Sequence, residues 1–111
     1  DMINHRLKMR KMSEKKKEFK INESENGTLT STHLSIDGAS YIDGMPDYEW
    51  YFSIDAEHYK DLFKALSKQE DFAGDAEEEL VKYLKENGTK VSQLTSVCRS
   101  KKIPYYFKNY M

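Results

Sequence analysis

Three kinds of residue in this sequence could take part in chemistry: a pair of carboxylates, a single cysteine and three histidines. Glu49 and Asp55 fall on the same polar face of a predicted strand, with Tyr51 between them, and paired carboxylates can act as general acid and base. Structural roles account for both residues more simply, because Glu49 would be a solvated strand residue and Asp55 the N-cap of the following helix. We therefore do not predict catalysis at this pair.

The single cysteine, Cys98, could form a thiol–imidazole pair with His33 or His58. It falls on the apolar stripe of a predicted helix, however, where cysteine usually behaves as a small hydrophobic residue. The histidines are isolated, and His58 has no second ligand four residues later, so their spacing predicts no metal site. The sequence also has no glycine-rich phosphate loop and no nucleophile motif. We expect a protein without enzymatic activity and without a cofactor.

Tyrosines are more numerous than a small core requires, and Tyr41, Tyr51, Tyr106 and Tyr110 fall on predicted polar faces or near the end of the chain. Tyrosine is enriched at protein interfaces because it covers a large area with few rotatable bonds. Acidic residues form a second group between 71 and 79. We expect a partner protein to contact residues of both groups: Glu49, Tyr51, Asp71, Asp75, Glu77, Glu78, Glu79, Tyr106, Lys108 and Tyr110. Alternatively, helices or a second copy in a homodimer cover the sheet face that carries the tyrosines.

The net charge of −1 hides a division along the chain. Residues 1–18 contain seven basic and three acidic residues and carry +4, whereas residues 19–111 contain eleven basic and sixteen acidic residues and carry −5. A basic arm on an acidic body favours a second hypothesis, in which the arm binds nucleic acid with a strong dependence on salt concentration. The arm residues in that hypothesis are Arg6, Lys8, Arg10, Lys11, Lys15, Lys16 and Lys17.

A chain of 111 residues is long enough for one domain with a modest core. We therefore divide it into a basic arm at residues 1–18 and a single domain at residues 19–111. One cysteine cannot form an internal disulfide, and no apolar run approaches the ~20 residues that span a membrane. We expect a cytoplasmic protein that does not bind membranes, with a secreted domain that has lost its leader as the alternative.

The clearest structural signal runs from residue 47 to residue 66. Apolar residues alternate with polar ones at Tyr48, Trp50, Phe52 and Ile54, which is typical of a strand with one buried face. The period then changes to that of an amphipathic helix, with apolar residues at Tyr59, Leu62, Phe63 and Leu66. This stretch predicts a central strand that leads directly into a helix.

Turn signals divide the rest of the chain. Asn26-Gly27 predicts a type I′ hairpin turn in which Phe19 faces Leu34 across the two strands. Asp37-Gly38 and Asp43-Gly44 predict two further turns, with a short extended piece between them.

The second half of the chain predicts two more helices and a last strand. Asp75 begins a capping box for a helix that ends at Asn87-Gly88, and a third helix follows Thr89. The chain closes with a short strand from Ile103, which Pro104 restricts to the edge of a sheet. The order β-β-(β)-β-α-α-α-β predicts an α+β fold: a mainly antiparallel sheet with helices packed on one face.

The segments YEWYFSID and LTSVCRSKKIPYYF make the chain resemble a group of small bacterial α+β proteins with a strand–helix middle and a late helix that leads into an Ile-Pro-Tyr-x-Phe strand. The resemblance covers about residues 47–107. Many proteins of this group are encoded near toxins, and some are taken to be immunity proteins. The resemblance implies direct binding to a toxin and assigns no site residue. We therefore predict a non-enzymatic protein-binding module, in its most concrete form an immunity protein that neutralises a basic toxin.

Overall fold

Five antiparallel strands and three helices make up residues 16–42 and 44–110, which are the residues that the computed structural model describes. The strands are β1 (Lys16–Lys20), β2 (Glu25–Thr30), β3 (His33–Ile42), β4 (Met45–Asp55) and β5 (Tyr106–Tyr110). After a single 3-10 turn at Ala56–His58, the helices are α1 (Tyr59–Ser67), α2 (Ala76–Asn87) and α3 (Val91–Lys101). The strands lie in the sheet in chain order. The α+β class and the order of the elements are confirmed.

The core lies between the helices and one face of the sheet. On the sheet side the fully buried residues alternate along two neighbouring strands: Leu34 and Ile36 on β3, Phe52 and Ile54 on β4. The helices contribute buried aliphatic side chains and the one cysteine, at Leu62, Leu80, Leu84, Leu94 and Cys98. Each fully buried side chain of this size stabilises the fold by about 1.5–3 kcal/mol.

The predicted turn at Asn26-Gly27 is wrong. Both residues lie inside β2, where Phe19 faces Gly27 rather than Leu34. A Cβ on Gly27 would lie 2.5 Å from the ring of Phe19, so glycine is needed here for space and not for a positive φ. The turn instead spans residues 21–24, where the backbone N–H of Ile21 donates to the carbonyl of Glu25 at 3.0 Å.

The predicted turn at Asp37-Gly38 is also wrong, for the same physical reason. Both residues continue β3, and a Cβ on Gly38 would overlap the indole of Trp50 on the neighbouring strand. Gly44 does occupy a turn, with a φ of 78°, and Asp43 lies outside the described residues. The absence of a side chain at Gly38 lets the bulky Trp50 lie flat on the sheet.

The carboxylate of Glu25 joins three parts of the fold. It is buried, and the indole Nε1 of Trp50 donates to it at 2.7 Å. Asn22 Nδ2 donates at 2.9 Å, and the backbone N–H of Val91 lies 3.2 Å from both carboxylate oxygens. A buried carboxylate is tolerated only when donors replace its water. Glu25 thus fixes the turn after β1, the middle of β4 and the first turn of α3.

The predicted helix signals have mixed outcomes. Asp75 caps α2 as expected, since its Oδ1 accepts from the backbone N–H of Glu77 at 3.0 Å, and Gly88 ends the helix with a φ of 54°. Asp55 precedes the 3-10 turn, but its side chain makes no capping hydrogen bond. The backbone N–H of Ala56 already donates to the carbonyl of Thr32 at 2.8 Å, so the chain enters the turn from the sheet without a side-chain cap.

Helices α1 and α3 end on lysines in the left-handed conformation, Lys68 with a φ of 63° and Lys102 with a φ of 59°. Glycine is the usual residue at such positions because a Cβ is strained there. We expect Lys102→Gly to raise the free energy of unfolding by about 1 kcal/mol. Lys101→Gly, one residue earlier in the right-handed last turn, should lower it by about the same amount. Urea denaturation measures the change in the free energy of unfolding for each variant. Changes in the same direction for both variants would contradict this explanation.

Removing the Glu25 carboxylate should be costly, because the Trp50 and Val91 donors would be left buried without an acceptor. We expect Glu25→Ala to lower the free energy of unfolding by about 3 kcal/mol. The matched control is Glu23→Ala on the same turn, whose exposed side chain should contribute less than about 0.5 kcal/mol. Urea denaturation measures the loss of unfolding free energy in both variants, and similar losses at the two positions would disprove the role of Glu25.

Candidate functional site

One face of the sheet carries none of the three described helices. The core residues of all three helices pack against the face of Leu34 and Phe52, and no element among the described residues covers the opposite face. Because successive side chains of a strand point to opposite faces, Asp37, Glu49 and Tyr51 lie on this open face. The open face is therefore a surface on which side chains from neighbouring strands can act together.

The sheet register brings half of the predicted contact residues together on the open face. Glu49 lies opposite Tyr110, and Tyr51 lies opposite Lys108. Tyr106 completes the group, and its ring meets that of Tyr51 edge-on with 5.9 Å between centroids. The Nζ of Lys108 lies 5.1 Å from the centroid of the Tyr110 ring. We call Glu49, Tyr51, Tyr106, Lys108 and Tyr110 the β4–β5 patch.

A shallow cleft of about 390 Å³ continues the patch towards β3. Three carboxylates line it, from Glu23, Asp37 and Glu49, together with Tyr41 and Tyr110, and no lysine or arginine from residues 16–42 or 44–110 does. Clustered carboxylates beside aromatic rings suit a guanidinium or ammonium group. The carboxylates accept charge-assisted hydrogen bonds from it, and the rings make cation–π contacts with it. We call these five residues the acidic cleft.

Sequence reasoning missed Glu23 and Asp37 as members of this site. Asp37 was assigned to a turn because glycine follows it. The alternation of Leu34, Ile36 and Gly38 with Ser35 and Asp37 is the signal that could have placed Asp37 on the polar face of a strand. Glu23 could not be placed without the true position of the turn at residues 21–24.

The other half of the predicted contact set lies elsewhere. Asp71 is in the connector before α2, and the remaining acids are in the cap and first turn of that helix, at Asp75, Glu77, Glu78 and Glu79. Burial raises the pKa of Tyr59, whose hydroxyl donates to Thr30 O at 3.0 Å, and the charges of Glu77 and Asp55 raise it further. Because its residues precede or begin α2, the acidic group at 71–79 belongs to the helical layer. The predicted contact set therefore divides into two surfaces, this group and the β4–β5 patch.

The candidate catalytic groups are not assembled among the described residues. Glu49 and Asp55 are six residues apart along β4, which separates them by about 20 Å. Cys98 is completely buried, and His33 Nδ1 lies 3.0 Å from the hydroxyl of Thr32. No group of three potential metal ligands occurs in the described part of the chain.

The basic arm is described only at its end. Lys16 and Lys17 lie in β1, where they pair with Thr30 and Leu29, and Lys16 Nζ is 3.7 Å from Glu18. The other residues of the nucleic-acid hypothesis lie outside the described residues: Arg6, Lys8, Arg10, Lys11 and Lys15. That hypothesis stays a prediction.

A larger cavity, of about 780 Å³, lies between α1 and the connection from α3 to β5. Four lysines line it, Lys64, Lys68, Lys101 and Lys102, together with Asp61 and Glu70. The lysines stand at the C-terminal ends of α1 and α3, where positive charge offsets the helix dipoles. A structural role accounts for them, so we place the candidate site at the acidic cleft and the β4–β5 patch.

Comparison with known proteins identifies no relative of this chain. A scan of protein-family models, a search of curated proteins and a search of solved structures each find no match to this chain. None of the helices in the described residues has the length and apolar character needed to span a membrane. The site therefore has to be interpreted from its own geometry.

Burial raises the pKa of the Cys98 thiol to about 11, so the thiol stays protonated at neutral pH. In the unfolded chain it ionises at lower pH, and the unfolded state then binds fewer protons than the folded state. The free energy of unfolding should consequently fall as pH rises above about 9, by about 1.4 kcal/mol at pH 10. Urea denaturation at pH 7 and pH 10 measures this fall, and an equally large fall in Cys98→Ala would show that another group is responsible.

Proposed function

We propose that this protein is a non-enzymatic protein-binding module whose partner presents basic side chains to the acidic cleft and the β4–β5 patch. The most concrete form is a small bacterial inhibitor of the immunity type, which neutralises a basic toxin by direct binding. The observation that carries the proposal is the cleft, in which three carboxylates and two tyrosines converge and to which the described part of the chain contributes no basic residue.

The chemistry of the cleft favours one kind of contact. An arginine or lysine of the partner could insert between Asp37 and Glu49 and place its charge against the exposed Tyr41 ring. Interface hot spots are typically of this kind, with an arginine or aromatic side chain held in a pocket of the other protein. The exposed rings of Tyr106 and Tyr110 would exclude water around it.

The two acidic surfaces would then contribute to different steps of binding. The group at 71–79 lies on another part of the molecule and adds to the charge of −5 on residues 19–111, which attracts a basic partner over a distance. Charges outside the contact area change mainly the association rate, whereas buried charge pairs change mainly the dissociation rate. A cytoplasmic location forms part of the same proposal, because a chain with one cysteine cannot form an internal disulfide and does not depend on an oxidising compartment.

Charge-neutralising variants test the proposal against a partner captured from the native host. Asp37→Asn combined with Glu49→Gln keeps the shape of the cleft and removes two charges, and it should weaken binding at least about 30-fold, mainly through faster dissociation. The matched control is Glu77→Gln combined with Glu78→Gln, which removes two charges from the helical layer. It should slow association by less than about 10-fold and leave dissociation unchanged.

Surface plasmon resonance at two salt concentrations separates the two rates. Equal losses in the two double variants would mean that only overall charge matters and that the cleft is not the contact. Unchanged binding in the cleft variant would refute the proposed site. If co-expression of the captured partner is toxic and this protein relieves the toxicity, the immunity form of the proposal is supported; a partner that is harmless on its own would contradict that form.

A further inference from the structure

We propose that the outer edge of β5 pairs with the same edge of a second copy of this chain, so that two five-stranded sheets join into one antiparallel sheet of ten strands. The inference goes beyond the proposed function, which concerns the open face of the sheet and not its edge. It rests on which edge is protected, on where the exposed aromatic rings lie, and on which register the charges allow.

The two edge strands of the sheet differ in how well they resist pairing. Along β1, exposed lysines at positions 16, 17 and 20 give the edge a charge that opposes the approach of another strand. β5 has a single lysine and exposes three aromatic rings: Tyr106 is 53% exposed, Phe107 40% and Tyr110 46%. No described residue pairs with its outer edge.

Phe107 is the residue of β5 that would gain most from packing against a second copy. It lies opposite Phe52, so its ring points to the face that the helices cover. Phe52 is completely buried and stacks on Tyr105 at 5.9 Å between ring centroids, whereas Phe107, on the edge strand, stays 40% exposed. A phenylalanine ring exposed beside a free strand edge is stabilised when a second apolar group packs on it.

The charges restrict the register of a symmetric pair. Centring the pair on Lys108 would place two lysines directly opposite each other, which is destabilising. Centring it on Asn109 would bury a side chain that already donates to the hydroxyl of Tyr48 at 2.6 Å. Centring it on Phe107 packs the two Phe107 rings together and sets each Lys108 across from Tyr106 of the second copy, where a cation–π contact can form. The geometry points to this third register.

The area involved predicts a weak dimer. In this register residues 106–108 of each copy are paired, so that Tyr106 and Phe107 are the aromatic side chains that become covered. Both are about half exposed and supply roughly 200 Å² per copy, which is below the ~800 Å² per partner of a standard interface. We therefore expect dissociation in the range of tens to hundreds of micromolar. A two-fold axis perpendicular to the sheet keeps both open faces on the same side, so that the acidic clefts of the two copies stay accessible to a partner.

Sedimentation equilibrium of the full 111-residue chain tests the association. The wild type should change from monomer to dimer as its concentration rises from about 5 μM to about 1 mM, and Phe107→Ser should stay monomeric over the same range. The matched control is Met45→Ser, which removes a side chain that is 67% exposed at the far end of β4 and should dimerise like the wild type. A wild type that stays monomeric throughout would overturn the proposal, as would a dimer that Phe107→Ser leaves unchanged.

Disulfide trapping tests the register. Residues directly opposite in an antiparallel pair have Cα atoms about 4.5–5.5 Å apart, within the range that a disulfide spans. Phe107→Cys should therefore cross-link under mild oxidation at least about 10-fold faster than Lys108→Cys or Asn109→Cys. The native Cys98 is buried and should not compete. Faster cross-linking at position 108 or 109 would overturn the proposed register, and this outcome is independent of whether a basic partner binds the open face.

Discussion

The buried carboxylate of Glu25 is the interaction on which the rest of the fold depends. Its donors come from the turn after β1, from Trp50 in β4 and from the backbone N–H of Val91, which lie far apart in the sequence. Asn22 extends the connection, because its side-chain amide also lies 3.3 Å from the carbonyl of Gly88 at the end of α2. A charge in the interior costs several kcal/mol unless every one of these donors is in place. The carboxylate therefore selects one arrangement of sheet and helices.

The local turn signals failed at two glycines, Gly27 and Gly38. Turn dipeptides such as Asn26-Gly27 and Asp37-Gly38 are recognised because glycine tolerates a positive φ. Here glycine is present because a ring from another strand, Phe19 or Trp50, occupies the space of its Cβ. The two uses of glycine look identical in the sequence. Only the long-range contact distinguishes them, and no local pattern encodes that contact.

Local signals were reliable where no distant group intervenes, whereas at Asp55 the carbonyl of Thr32 replaces the predicted side-chain cap. The period change at Asp55, the cap at Asp75 and the stop at Gly88 each involve groups within a few positions of one another, and they identified the strand and the helix ends. The β4–β5 patch was also accessible, because alternation alone puts Glu49 and Tyr51 on the polar side of their strand. Asp37 was not, since its strand had been divided by a wrong turn, and the acidic cleft went unnoticed with it.

The uncovered surfaces follow from the lengths of the elements. β4 has 11 residues and extends about 37 Å, whereas α2, the longest of the described helices, has 12 residues and extends about 18 Å. Three such helices can cover one face of the sheet and only part of its length. Large hydrophobic residues at the ends of the long strands and on β5 are therefore left exposed, at Tyr41, Met45 and Phe107 among others. A sheet longer than its described helices therefore leaves part of its surface uncovered, and both proposals, for the open face and for the edge of β5, start from that mismatch in length.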